Sequence, residues 1–453
     1  MDLDTALGAT WRDDEPRRFL RRLCELDDRM AGHPGEAHAA DLVADAFRDA
    51  GVRDVDRESF PLTVWTRGDT TLRVTEPVER TFDALALPYS PTGSVDGPLV
   101  DVGHGTHAEI ADADLDGAIA LARTDSPADG RFVHRMESFG HAIDAGAEAF
   151  LFRNHVDGQL PPTGSLRFDE PARAPGVGVS KETGAWLAEY ADRDATVELD
   201  VTATMADGES EFVHGVLGPD DADREVVVLA HFDAHDVAEG ALDNGCGIAV
   251  VVALARTLGR LDAADALDAR VRVAGVGAEE VGLLGGAALA DALDLGDVHA
   301  VVNVDGAGRH RNLVAMPHGS DDLANAADAV ADAVDHPVRT DADPHPWSDH
   351  WPFLRERVPA IQLHSDSGER GRGWGHTAAD TFDKTDSRVV REHAMLATLL
   401  VDEIAENDVA RVDEDALRDA MVDQDFDAGM RAAGIWPTNW EDRHPSKRAT
   451  TDG

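Results

Sequence analysis

The sequence predicts an α/β protein: a doubly wound, mixed and largely parallel sheet flanked by helices, interrupted by a second region of different texture. Three observations carry this expectation. From about Phe212 onward, strand-like apolar runs alternate with loops and helical stretches. Between Trp65 and about Thr204 the chain shows short apolar runs cut by Pro and Gly, with little sustained helical period. Ahead of both, Glu15 to Gly51 places apolar residues at helical spacing.

In chain order, Phe19, Leu20, Leu23 and Leu26 predict one amphipathic helix, and Ala39, Leu42, Val43, Ala46 and Phe47 a second, with His33-Pro34-Gly35 as the turn between them. Val52 to Val64 reads as an exposed strand. In the middle region, Pro98 to Val102 and Ala118 to Ala122 are short strand-like runs, and Glu137 to Ala145 and Lys181 to Tyr190 are helices. The later strands are Glu225 to Ala230, Val271 to Val276, Ala300 to Val304 and Pro359 to Leu363, separated by helices such as Gly247 to Gly259 and Asp321 to Val334. Beyond Glu406 the chain is charge-rich, and its last fifteen or so residues read as a loose tail. The division expected is 1–64, an inserted 65–205, 206–407 and a C-terminal extension 408–453.

The 453 residues carry a net formal charge of −47, which disfavours nucleic acid and anionic membrane surfaces as partners. Disorder is excluded by a 43% hydrophobic content in periodic runs. The only lysines are Lys181, Lys384 and Lys447, so arginine dominates the basic residues, and the composition predicts a halophilic protein whose acidic surface is screened by dense salt. Met1 to Leu20 has no signal-peptide core and no run approaches a membrane span, so a cytoplasmic location is expected. Cys24 and Cys246 have no CxxC spacing and predict two buried thiols. Oligomeric state is not legible.

Sites in open α/β sheets form beyond the carboxyl ends of the strands. Here three successive strands end in His231-Phe232-Asp233, Ala278-Glu279-Glu280 and Asn303-Val304-Asp305. Each residue has an ordinary alternative: His231 could bond a backbone carbonyl, Asp243 could cap the apolar helix after it, and Glu279-Glu280 could be a solvated pair. Against these, Asp233 can fix the tautomer of His231 as outer carboxylates do for zinc-bound histidines. Adjacent side chains in an extended segment diverge, so one of the two glutamates can bind metal while the other faces substrate.

The ordered motifs His231-x-Asp233, Gly240-Ala241-x-Asp243-Asn244-x-x-Gly247, Glu279-Glu280-x-Gly282-Leu283-x-Gly285, Asn303-x-Asp305, Ser348-Asp349-His350-x-Pro352-Phe353 and His376-Thr377-x-x-Asp380-Thr381 resemble those of the two-zinc exopeptidases. That family includes bacterial leucyl-type aminopeptidases and the glutamate carboxypeptidase and transferrin-receptor group. The resemblance implies the zinc exopeptidase fold, with 65–205 similar to an inserted β-rich protease-associated domain that roofs the site.

It further implies two Zn2+ per chain bridged by Asp243, with His231 and Asp305 completing one site and Glu280 and His376 the other. Peptide hydrolysis would proceed through a metal-bridging hydroxide with Glu279 as general base. Where several members carry a Tyr before the last His, this chain has Gly375, and neither Tyr89 nor Tyr190 lies in the catalytic portion. His350 and His345 are therefore the oxyanion candidates. His235 and Asp236 also sit near the motif, but the family spacing to Asp243 counts from His231, so His235 reads as part of the loop wall. An aminopeptidase is the leading function; a carboxypeptidase, a glutaminyl-cyclase-like enzyme and a non-catalytic receptor-like homologue are the alternatives, the last disfavoured by the complete ligand set.

Overall fold

The computed structural model describes residues 1–128, 130–222, 224–368 and 373–441. Among the described residues, fourteen strands join in one hydrogen-bonded network. In chain order they are β1 (Arg53–Glu76), β2 (Arg80–Phe82), β3 (Leu85–Ala86), β4 (Gly93–Asp101), β5 (Ile119–Arg123), β6 (Ala149–Arg153), β7 (Gly176–Val179), β8 (Thr196–Leu217), β9 (Glu225–His231), β10 (Arg270–Val276), β11 (Val298–Val304), β12 (Leu313–Met316), β13 (Arg339–Thr340) and β14 (Ala360–Ser365).

The core of the second half is the parallel set β10-β9-β11-β14, extended by β12 antiparallel to β14 and bounded on the other side by β8 antiparallel to β10. All seven residues of β9 are buried. Val226, Val228 and Ala230 enter one apolar core and Val227 and Leu229 the other. A strand covered on both faces has no polar face to alternate with, so its sequence is an unbroken apolar run. Each buried Val or Leu there contributes about 1.5–3 kcal/mol.

One of those cores is closed by the helix Cys246–Asp262. With the turn before it, this helix is long and apolar enough to cross a membrane by length and composition, contrary to the expectation that no run approaches a span. Its window is 94% buried among the sheet and the neighbouring helices, which accounts for its apolar character.

The inserted region has its own parallel sheet, β4-β5-β6-β7, with helices His107–Ala111, Arg135–Asp144 and Lys181–Ala191 between and after the strands. It is thus mixed α/β as much as β-rich. Its attachment differs from the sequence-based expectation. The exposed strand expected to end at Val64 runs on to Glu76 as β1 and pairs antiparallel with β8 over the length of both, from Arg53↔Val216 to Glu76↔Thr196. β4 docks on the first half of β8 and β10 on its second half, so the expected boundaries at 64/65 and 205/206 fall inside continuous strands. Alternating exposed residues in β1 hide this continuity at the sequence level.

Two further differences lie at the ends of the chain. A short helix, Leu3–Thr10, capped by Asp2, precedes the first expected one. At the other end, helices Glu414–Asp423 and Asp427–Ala433 order the charge-rich extension that showed no clear period, and Thr438–Glu441 takes the start of the expected loose tail. Trp440 is 1% exposed and meets Trp351 and Trp436 edge to face at 5.9 and 5.1 Å, so an apolar anchor fixes this segment. The remainder of that expected tail, 442–453, lies outside the described residues. Cys24 and Cys246 are free and buried, and burial pushes the Cys24 thiol up to about 12.

Candidate metal centre and active site

Three parallel strands deliver their carboxyl ends to one edge, as expected of this topology. His231 ends β9, Glu279 and Glu280 follow β10, and Asp305 follows β11. After Asp305 the chain turns at Gly306 with φ +90°, where any Cβ would lie 1.9 Å from the His364 ring, so only glycine fits. Asp243 arrives from the loop before the helix Cys246–Asp262. Its backbone N–H and that of Leu242 both donate to Asp380, at 3.0 and 2.6 Å. Asn244 secures the same loop by donating to Val304 O at 2.8 Å.

These residues form two clusters that meet at Asp243. His231 Nε2 lies 3.6 Å from Asp243 Oδ1 and 4.0 Å from Asp305 Oδ1. His376 Nε2 lies 3.2 Å from Asp243 Oδ2 and 3.1 Å from Glu280 Oε2. One oxygen of Asp243 therefore serves each cluster. Nitrogen and carboxylate-oxygen donors from buried and, for Asp305, part-buried side chains, with ligand atoms within 4.8 Å of one another in each cluster, match the ligand chemistry of Zn2+. A helix cap would not place its carboxylate between two imidazoles, and the geometry favours the ligand alternative for Asp243.

The electrostatics follow from burial and pairing. Burial alone would raise the Asp243 carboxyl, but Arg309, His231 and His376 hold it well below the usual range. Glu280 is likewise held low, against burial, by His235 and His376. Glu279 behaves oppositely: burial raises it well above its ordinary value, His231 opposes this, and Glu280 and Asp305 add to it. Two adjacent carboxylates are thus driven apart, the pattern that separates a ligand from a proton carrier. Glu279 borders a cleft of about 300 Å³ together with Asp243, Asp305 and His376.

Asp233 is fully buried and borders no part of that cleft. It accepts from His231 Nδ1 at 3.1 Å and from the backbone N–H groups of Glu279 and Glu280 at 3.2 Å each. It is a positioning residue that locks one ligand and both glutamates, rather than a group that meets substrate.

His350 is not brought to the site. Its ring is buried, stacks on His318 at 3.9 Å, and bonds His345 O through Nε2 at 2.8 Å. Burial, with His345 beside it, pushes it well below the ordinary histidine value, so it is neutral and internal. His345 does border the cleft. Its Nδ1 accepts from Trp347 N at 3.2 Å, which leaves Nε2 as the donor.

Several residues at the site take positions that the sequence did not assign to them. Arg309 donates to Asp243 Oδ1 at 2.6 Å, to Asp305 Oδ1 at 3.2 Å and to Leu242 O. Ser348 donates to Asp305 Oδ2 at 2.6 Å and accepts from Asn303 at 2.7 Å, which gives the Asn303-x-Asp305 and Ser348 motifs a shared physical purpose. His235, read as loop wall, instead lies with Nε2 3.0 Å from Glu280 Oε2 and its ring edge-on to His376 at 4.6 Å.

The inserted region does more than roof the cleft. Thr163 N donates to His376 O at 2.9 Å, and His376 Nδ1 lies 3.2 Å from Thr163 O. Ser165 Oγ donates to Glu280 O at 2.7 Å. His376 holds a left-handed φ of +58°, which costs on the order of 1 kcal/mol for a non-glycine residue and is sustained by these bonds. Phe132 and Phe168 supply apolar walls, and His134 stacks on Trp347 at 4.1 Å across the junction.

Comparison with known proteins agrees with this geometry. Residues 213–401 match the model of peptidase family M28, and residues 95–187 match the PA domain. The family matched over residues 213–401 is peptidase family M28. Within the M28 match lie all five residues of the two clusters meeting at Asp243, and also Glu279 and His235. The chain is 26% identical over 394 residues to aminopeptidase YwaD of Bacillus subtilis, covering 83% of this chain and 81% of that protein. With leucine aminopeptidase 2 of Trichophyton rubrum it shares 26% over 280 residues, 60% of this chain and 53% of that one.

Among solved structures, an aminopeptidase from Aneurinibacillus sp. strain AM-1 superposes with a TM-score of 0.66 at 25% identity, over 86% of this chain and 93% of that chain. BSAP, a zinc aminopeptidase from Bacillus subtilis, gives 0.66 at 25% identity, over 85% and 93%. A peptidase M28 precursor from Shewanella amazonensis shares the fold at 0.75 and 20% identity, over 91% and 98%.

Proposed function

We propose that this chain is a zinc-dependent aminopeptidase that releases N-terminal residues from peptides. The observation that carries the reading is the Asp243 carboxylate, which offers one oxygen to each of two imidazole-containing clusters beside a cleft that Glu279 also borders. His231, Asp243 and Asp305 would hold one ion, and Asp243, Glu280 and His376 the other. Bound there, two Zn2+ ions supply Lewis-acid polarisation of the scissile carbonyl and a nucleophile of hydroxide strength at neutral pH.

The chain's own groups do the rest. Glu279, with its proton affinity raised by burial, takes a proton from attacking water and delivers it to the leaving amine. Arg309 and Ser348 hold the orientation of Asp243 and Asp305. His345 Nε2–H is the side-chain donor for the developing oxyanion in the place of a tyrosine. Phe132 and Phe168 give the cleft apolar walls against which an apolar substrate side chain can rest.

The names of the relatives favour the aminopeptidase reading over carboxypeptidase or cyclase-like chemistry on the same scaffold. The test is zinc analysis joined to a screen of amino-acyl, carboxy-terminal and N-acylated substrates in high salt. About two zinc ions and cleavage only of substrates with a free amine are expected. Cleavage from the carboxyl end, or cyclisation with one ion, would replace the reading.

The composition supports a second proposal, adaptation to high salt. At a net charge of −47 the surface repels itself, and the screening length grows from about 3 Å at 1 M to about 30 Å at 0.01 M salt. Unfolding on dilution is expected in circular dichroism and activity across a potassium chloride series at fixed zinc. A chain folded and active at about 0.01 M salt would overturn it.

A further inference from the structure

We propose that His235 is a protein ligand of the second zinc ion, so that Asp243, Glu280, His376 and His235 surround one ion while His231, Asp243 and Asp305 hold the other with one ligand fewer. The inference rests on the two-zinc reading above and deepens it.

The first support is an orphaned donor set. The His235 side chain is 4% exposed, and neither ring nitrogen makes a hydrogen bond. Buried imidazoles are ordinarily bonded to a carbonyl, a carboxylate or water. Here Nε2 stands 3.0 Å from Glu280 Oε2 without bonding geometry, and His376 Nε2 stands 3.1 Å from the same oxygen. Two nitrogens and one oxygen converging within 4.8 Å of one another is the arrangement that a cation resolves.

The second support is direction. His376, Glu280 and Asp243 border the substrate cleft, but His235 does not. It borders a small hollow behind them, with Gly240, Thr377 and Asp380. A ligand entering from the rear adds to the ion's shell without narrowing the face open to substrate. The third support is a built clamp on the neighbouring residue: Arg67, from β1, donates to both Asp236 oxygens, at 2.8 and 2.5 Å, and fixes the loop that carries His235.

Four protein ligands complete a tetrahedral shell, whereas three leave a place for water or substrate. The two ions would therefore not be equivalent: the second would be held more tightly, and the first would have one protein ligand fewer.

The experiment uses the full chain in molar salt, dialysed against a chelator-buffered zinc series, with wild type compared with H235A by zinc content and by the absorption of the Co2+-substituted protein. Wild type is expected to release its ions in two separated steps. In H235A the later step moves to higher free zinc by more than the 10- to 100-fold that loss of an outer partner costs. Because H235A could fail to fold, zinc-edge X-ray absorption on wild type provides a second measure, with three imidazoles over two ions expected. An unchanged H235A titration, or two imidazoles over two ions, overturns the proposal alone. Saturation of wild type below two ions removes the two-zinc reading and this proposal with it.

Discussion

The two halves of the candidate metal centre are built on different supports. The His231–Asp305 half stands on the parallel core: both residues sit at the carboxyl ends of buried strands, and their fastening groups, Asp233, Arg309 and Ser348, all belong to the peptidase part of the chain. The Glu280–His376 half stands on loops and, beyond the Asp233 bond to Glu280 N, is fastened by Ser165 and Thr163 of the inserted region and by Arg67 of β1 on Asp236. A sheet edge places side chains by its own hydrogen bonding, whereas a loop needs outside partners to hold a ligand within the tolerance a metal demands. The contrast teaches that the insert belongs to the metal site and not only to its entrance.

The largest effect expected is that of Asp243→Ala, which removes the one residue common to both halves. Zinc content should fall toward zero and peptidase activity to background, with the chain still folded by circular dichroism. A metallated, active variant would show that the halves are independent. Glu279→Gln spares both ligand sets, so zinc content should hold near the wild-type value while turnover falls by about 10²- to 10⁴-fold.

Arg67→Ala probes the asymmetry itself. It should weaken one zinc step by about 10- to 100-fold and leave the other in place, as read by staged zinc titration. Equal weakening of both steps would show that the two halves share one support.

The smallest effect is reserved for a site remote from both halves. Glu225, at the start of β9, is buried, yet Arg272 and Arg270 hold its carboxyl below the ordinary 4.5. A depressed carboxylate contributes stability that is present above its unfolded value and lost as pH falls through its folded value. Glu225→Gln should therefore lower stability by about 1.5–3 kcal/mol at neutral pH. The gap to wild type should close as pH drops below 4.5, with zinc binding unaltered, in denaturant melts at several pH values.

What could be read in advance divides along the same line. The strands of the parallel core announce themselves because burial on both faces leaves unbroken apolar runs, and His231, Glu280 and Asp305 lie where such runs end. The loop-borne half was legible only in part. His376 and Asp243 came through motif order. His235 was set aside by a spacing argument, since nothing near it in sequence signals that Arg67, far away in the chain, clamps the next residue. Thr163 and Ser165 act through backbone carbonyls and leave no compositional trace. His350 misled for the reverse reason: it belongs to a motif, yet stacking on His318 turns it inward, and such stacking has no sequence signature.

The left-handed His376 carries one more consequence. Its backbone is kept in place by Thr163, so the free energy of zinc in the second half and that of order in the segment around 163–165 are linked. Linkage of this kind is reciprocal. A molecule that stiffened the PA domain would tighten zinc, and zinc would in turn slow amide exchange in that segment, making the metal a thermodynamic reporter of events in a domain that contributes none of its ligands.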